Sequence, residues 1–119
     1  METTLYNSKG VPQVYIADDN STIYTWGGHA VAYIIDDAVY GWNGKHLGFF
    51  EHGIIYDLNG YKVGYTKEAC PYAVYASYAK CAKYAQYAKY GRYARYTKPS
   101  YSLSNSSVDL LDFVEQGKI

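Results

Sequence analysis

Four copies of one short phrase occupy the first half of the chain, at residues 5–16, 23–34, 39–50 and 55–66. Each copy begins with an aliphatic residue followed by tyrosine, continues through a glycine, and ends with a pair whose first residue is tyrosine or phenylalanine. The last three copies recur every 16 residues, and the first lies two residues further upstream. A unit this short cannot bury its own apolar face, so the copies must pack on one another.

Each copy is predicted to be a β-hairpin. Asn43-Gly44 and Asn59-Gly60 are strong two-residue hairpin signals, because a type I′ turn needs positive φ at both central positions. A turn at 43–44 sets Val39 against Gly48 and the ring of Tyr40 against Leu47. One face of the hairpins would then carry the rings together with Leu47 and its counterparts Val31 and Val63.

On the other face of the hairpins, a β-branched residue opposes a small one in three copies. These pairs are Val39 with Gly48, Ile23 with Ala32, and Ile55 with Gly64. Small residues at such positions predict a crowded place, such as a shared axis, where backbones approach closely.

The chain is predicted to have three parts. Residues 1–69 hold the hairpins, 70–100 hold Tyr-Ala-Lys/Arg triplets, and 101–119 hold a linker and a short amphipathic helix. Ser107 is the predicted N-cap of that helix, and its apolar residues are expected to dock on the hairpins or on a partner. Residues 70–100 carry six bases and no acid, whereas the remainder carries 11 acids and five bases. Opposite charge on two parts of one chain favours docking, within the molecule or between copies.

The triplet segment is predicted to be a helical rod. Alanine, lysine, arginine and glutamine are good helix formers, and no proline interrupts the segment between Pro71 and Pro99. A period of three falls short of 3.6 residues per turn, so the stripe of tyrosines would wind around the rod. A 3₁₀-helix or an extended strand is the alternative. A winding stripe needs something that wraps it, so the rod is expected to build a core within the molecule or an oligomer.

The phrase at 55–65, Ile-Tyr-Asp-Leu-Asn-Gly-Tyr-Lys-Val-Gly-Tyr, resembles the repeats of bacterial four-fold β-flower proteins. The resemblance covers roughly residues 5–68. It implies that four hairpins pack like petals around an axis. Together with the predicted helical rod and short C-terminal helix, the fold class is expected to be mainly β with some α structure. The resemblance implies no reaction, because the family has no established activity. The phrase is also similar to the tyrosine-aspartate repeats of polymorphic toxins, and residues 41–50 are similar to Gly-Trp-rich cell-wall-binding repeats.

Patterns that specify catalysis or metal binding are missing from the sequence. The chain has three histidines, His29, His46 and His52, and neither His29 nor His46 has an acid or nucleophile beside it at a catalytic spacing. The acid pairs at 18–19 and 36–37 lack the alternating oxygen ligands of a calcium loop. We therefore expect neither an enzyme, nor a metal, nor a cofactor.

The sequence favours a non-enzymatic structural or interaction module that associates with itself or with a protein partner. The alternative is a ligand-binding module for single-stranded nucleic acid or a glycan, because interleaved rings and bases give stacking platforms and phosphate contacts. Zero net charge disfavours nucleic acid. The candidate binding residues are Tyr24, Trp26, Tyr40, Trp42, Tyr84, Tyr87, Tyr90, Arg92 and Arg95.

The sequence also bears on location. No uninterrupted apolar run of about 18 residues exists, so no membrane span is expected. Residues 1–4 lack the basic start and apolar run of a signal peptide. The two cysteines, Cys70 and Cys81, have no metal or redox spacing, and reduced thiols in a cytoplasmic protein are expected.

Overall fold

The computed structural model describes residues 1–119, and its first 65 residues form a closed eight-stranded antiparallel barrel. The strands are β1 (Thr3–Tyr6), β2 (Pro12–Ile16), β3 (Thr22–Thr25), β4 (Ala30–Ile35), β5 (Ala38–Gly41), β6 (His46–Glu51), β7 (Ile54–Asp57) and β8 (Lys62–Tyr65). Each strand pairs with its neighbour in chain order, and β8 closes the sheet by pairing with β1. Each sequence repeat is therefore one hairpin, and the prediction of four hairpins packed around an axis is confirmed.

The hairpins turn through a longer loop than the sequence predicts. In the third hairpin, the amide of Gly44 donates to the carbonyl of Gly41 at 2.9 Å, and the amide of Gly41 donates to the carbonyl of Lys45 at 2.8 Å. Gly44 has a φ of +91°, whereas the φ of Asn43 is not positive. This is a type I turn followed by a left-handed glycine, which adds a bulge to the second strand.

The bulge decides which side chains enter the barrel. Val39 pairs with Gly48, as the sequence predicts, but Tyr40 pairs with His46. The predicted pairing of Tyr40 with Leu47 is wrong, because a shift of one residue moves a side chain to the opposite face. The side chains that the shift turns from the ring face into the apolar core are Val31, Leu47 and Val63.

The core of the barrel is completed by one short helix, α1 (Leu110–Glu115). Its residues Leu110, Phe113 and Val114 are buried among the strand residues of the core. A Cβ added to Gly64 would lie 2.6 Å from Cδ1 of Leu110. The small residues thus mark a crowded interior, as predicted, and α1 fills the space they leave. No helix of the chain is long and apolar enough to span a membrane.

The N-cap of α1 is Asp109, so the prediction of Ser107 is wrong. Asp109 has extended backbone, and its side chain makes no capping hydrogen bond. Its carboxylate instead accepts hydrogen bonds from Nδ2 of Asn7 at 3.1 Å and Nε2 of Gln13 at 2.6 Å. The helix begins where this carboxylate is held by the first hairpin.

Residues 71–101, which we call the strap, contain no helix and no strand, so the predicted helical rod is wrong. The strap passes around the barrel, and several of its backbone amides donate hydrogen bonds to backbone carbonyl oxygens of the hairpins. A helix rises about 1.5 Å per residue, whereas an extended chain with three residues per turn rises about 3.1 Å. The strap meets the four turn glycines at residues nine apart, so three intervals of nine residues join the first contact to the last and span about 84 Å. That is about three quarters of the circumference of a disc 36 Å across, whereas a helix of the same residues would reach only about a third of the way around.

Candidate interaction surface

The strap advances nine residues for each hairpin that it passes. At the third hairpin, the amide of Tyr93 donates to the carbonyl of Gly44 at 2.8 Å. The carbonyl oxygen of Gly91 occupies the place where a Cβ on Gly44 would lie, so only glycine fits this seat. Equivalent seats pair Gly10 with Ala73, Gly28 with Ala82, and Gly60 with Ser100.

In several triplets the third residue is a base that lies over the rings of the hairpins. Nζ of Lys80 lies 4.5 Å from the ring centroid of Tyr15 and 5.3 Å from that of Trp26. Nine residues later, Nζ of Lys89 lies 4.3 Å from the ring centroid of Tyr33. Because the negative face of a ring attracts a cation, these contacts hold the strap to the outer surface of the barrel.

Carboxylates of the hairpin domain pair with four cations of the strap, some of which also lie over rings. Glu2 accepts hydrogen bonds from Lys80 and Lys83, each at 2.9 Å. Asp37 is paired with Lys98 at 2.6 Å and also with Arg95. Hydrogen bonds from these two cations hold the pKa of the Asp37 carboxyl well below its usual range. The docking predicted from the charge asymmetry occurs within this chain, although exposed pairs contribute only about 0–1 kcal/mol each.

The hairpin rings predicted to bind a ligand are largely covered. Tyr24, Tyr40 and Trp42 are at most 6% exposed, and Trp26 is half-buried. Nε1 of Trp42 donates a hydrogen bond to the carbonyl of Tyr87 at 2.7 Å. Nε1 of Trp26 makes the equivalent bond to the carbonyl of Tyr78, nine residues earlier in the strap, at 3.0 Å. These four rings contact the strap.

The two arginines predicted to bind a ligand also face the barrel. The guanidinium of Arg92 lies 5.6 Å from the ring centroid of Tyr40, and that of Arg95 lies 5.5 Å from the ring centroid of Phe49. Sequence reasoning named both only under the ligand-binding alternative, in which bases between the rings contact phosphates. The signal that could have predicted the contact of these arginines with the barrel is the charge asymmetry, because residues 70–100 are basic and the rest of the chain is acidic.

The first residue of each triplet points to solvent. The exposed fractions of these tyrosines lie between 55% and 88%, and Tyr78 is the most exposed. Three residues per turn separate the outward ring from the inward cation of the same triplet. We call this surface the tyrosine belt; it consists of Tyr72, Tyr75, Tyr78, Tyr84, Tyr87, Tyr90, Tyr93 and Tyr96.

A buried histidine anchors the strap near its end. His46 is 4% exposed, and its Nδ1 accepts a hydrogen bond from the amide of Tyr96 at 2.9 Å. Its Nε2 lies 2.9 Å from the carbonyl of Gly48 and therefore carries the proton. Burial lowers the pKa of His46, which favours the neutral ring that this geometry requires. The sequence placed His46 on the small-residue face of the hairpin, whereas the structure pairs it with Tyr40 and bonds it to the strap.

The structure has no group of three or more histidine, cysteine, aspartate or glutamate side chains that could hold a metal ion. Cys70 and Cys81 are free thiols. The exposed surface of the strap carries eight tyrosine rings.

Comparison with known proteins gives one match. A family model described as 4-fold beta flower protein matches residues 3–114. The match extends beyond the hairpins to the strap and most of α1. No curated protein and no solved structure matches the chain.

Proposed function

The chain belongs to the 4-fold beta flower family, and we propose that it is a non-enzymatic interaction module that associates with copies of itself through the tyrosine belt. The observation that carries the proposal is the direction of the strap side chains, with cations turned inward and rings outward. Large exposed apolar patches mark interaction sites, and tyrosine is enriched at protein interfaces. An aromatic strip that runs past three of the four hairpins is therefore best explained by contact with other proteins.

Charge and shape support association between copies. The net charge is zero, so copies do not repel one another at long range. The belt follows the rim of a disc that measures 36 × 36 × 23 Å, and two convex rims bring only a few tyrosines together. One copy can then contact several others, so we expect assembly that grows with concentration rather than a single closed dimer.

A ligand-binding module is the second candidate. Tyr84, Tyr87 and Tyr90 are more than half exposed, and such rings stack on sugars or bases. Nucleic acid also requires cations for phosphate contacts, whereas Arg92 and Arg95 are engaged by the hairpins. This makes self-association the better supported candidate.

We also propose a cytoplasmic location. The support is that both cysteines are free thiols, one half-buried and one exposed. Thiols stay reduced in the cytoplasm, where structural disulfides are rare.

Sedimentation velocity over a wide concentration range tests the proposal. Replacing the two most exposed belt rings, Tyr78→Ser with Tyr87→Ser, is expected to weaken association by about tenfold or more, because exposed aromatic anchors carry much of an interface's energy. The matched control is Tyr61→Ser, which removes a ring that is 43% exposed but lies on a hairpin turn outside the belt. A wild-type chain that stays monomeric, or a double variant that associates like wild type, would contradict the proposal. A monomer that binds single-stranded oligonucleotides or oligosaccharides would favour the second candidate.

A further inference from the structure

The strap bridges neighbouring hairpins in arches. Residues 84–87 form the arch between the second and third hairpins. It begins where the amide of Tyr84 donates to Gly28, at 2.9 Å, and ends where Trp42 donates to the carbonyl of Tyr87. A cleft of about 300 Å³ lies beneath this arch, with Trp42 on its inner side and His29 beside Tyr84. The ring of His29 stacks on that of Tyr84 with centroids 4.3 Å apart.

The same cleft recurs at two other arches. The arch at 75–78 covers a cleft of about 500 Å³, and the arch at 93–96 covers one of about 700 Å³. Each cleft is one hairpin and nine strap residues away from the next. The hairpin residues at the matching position are Val11, His29 and Lys45.

The three clefts share their aromatic walls and differ in their polar groups. Each has two belt tyrosines and one strap alanine, whereas the matching hairpin residue is apolar, an imidazole or an ammonium. A ligand recognised by fixed hydrogen bonds would fit one cleft and not the others. What all three can accept is a flat apolar ring, since aromatic rings pack edge-to-face or offset on one another.

We infer that these clefts seat aromatic side chains, and that the occupant is an exposed belt tyrosine of a second copy; this rests on the proposed self-association. Tyr78 and Tyr87, which are 88% and 77% exposed, stand at the ends of two of the arches. Projecting rings and clefts therefore lie on the same rim. A rim-to-rim contact brings the ring of one copy to the cleft of another, where the ring is buried and its hydroxyl stays near water.

Filling the clefts tests this inference while every tyrosine is kept. The cleft variant combines Ala76→Leu and Ala85→Leu. The matched control combines Ala79→Leu and Ala88→Leu, each three residues further along the strap, which add the same bulk at alanines that line none of the three clefts. We expect sedimentation to show association about tenfold weaker in the cleft variant and unchanged in the control. Equal association constants for the two variants would overturn the cleft inference and leave the belt proposal standing.

A second measurement does not depend on association. p-Cresol, which reproduces the tyrosine side chain, is titrated into dilute protein while the two indole N–H signals are followed by NMR. The indole of Trp42 lines a cleft and that of Trp26 lines none of the three, so Trp26 is an internal reference. We expect a saturable shift at Trp42, with a Kd on the order of millimolar, that is lost in Ala85→Leu.

The two measurements separate the failure of the inference from the failure of the proposed function. No saturable shift at Trp42 overturns the cleft inference, even where copies associate. A chain that stays monomeric and still shows the shift refutes self-association, and with it the identity of the occupant.

Discussion

Leu110 is the residue through which α1 fills the space beside Gly64. It is fully buried, and an added Cβ on Gly64 would lie 2.6 Å from its Cδ1. Gly64→Ala therefore overpacks the barrel, and such changes lower the free energy of unfolding by about 1–3 kcal/mol. Leu110→Ala empties the same space, which lowers the free energy of unfolding by about 2.7–5 kcal/mol.

The two changes together should partly compensate each other, because the methyl group that Gly64→Ala adds enters space that Leu110 has vacated. Residues in contact show coupling energies of about 0.5–3 kcal/mol. We expect the double variant to be more stable than the sum of the single effects by about 1 kcal/mol or more. Urea unfolding of the four proteins, followed by tryptophan fluorescence and circular dichroism, measures this coupling.

Gly48 supplies the matched control. A Cβ on Gly48 would strike the backbone carbonyl oxygen of Tyr56, and the ring of Phe113 would be only its second contact. Phe113→Ala cannot move that carbonyl, so Gly48→Ala and Phe113→Ala should be close to additive. Additive effects for the Gly64 pair, or equal coupling in both pairs, would refute the account of how α1 fills the barrel.

The anchors of the strap give two more predictions. Burial lowers the pKa of His46, so between the usual pKa of about 6.5 and the lower folded value the unfolded chain binds a proton that the folded chain does not. The free energy of unfolding should therefore fall as the pH drops below about 6.5, and urea unfolding at several pH values should show a weaker dependence in His46→Gln. Gly44→Ala, at a φ of +91° and against the carbonyl of Gly91, should cost about 1–3 kcal/mol by thermal unfolding. Gly91→Ala, with open space around its Cα, should be neutral or stabilising by up to about 1 kcal/mol.

Each of these predictions has an outcome that contradicts it. An acid dependence that is the same in His46→Gln and wild type would mean that another group is responsible. Similar stabilities for Gly44→Ala and Gly91→Ala would mean that the strap is not seated on the turn glycine.

The hairpins could be predicted because their signal is local and repeated. Gly44 marks the turn in a type I′ hairpin and equally in a type I turn with a bulge. The two differ in the φ of Asn43, which its neighbours in the sequence do not determine. The existence of the hairpin was therefore predictable, and the direction of Leu47 was not.

The strap could not be predicted from its own residues. An extended chain with three residues per turn makes no internal hydrogen bonds, so its conformation depends on the surface that accepts its amides. The sequence-based prediction of a helix depended on the helix propensity of alanine and lysine. In the structure, strap amides such as that of Tyr93 instead donate hydrogen bonds to carbonyl oxygens of the hairpins. The burial of Trp42 and the inward direction of Arg92 follow from the same docking.

The strap uses nine residues for each hairpin that it passes, so the length of the strap and the number of hairpins depend on each other. Tandem duplication of a single hairpin would widen the barrel without lengthening the segment that encircles it. A descendant with five hairpins would need a second insertion of nine residues, between 40 and 63 positions downstream of the first, because those are the separations between the turn glycines and their strap partners. The number of hairpins is therefore expected to resist evolutionary drift, while the composition of the outward rings remains free to change.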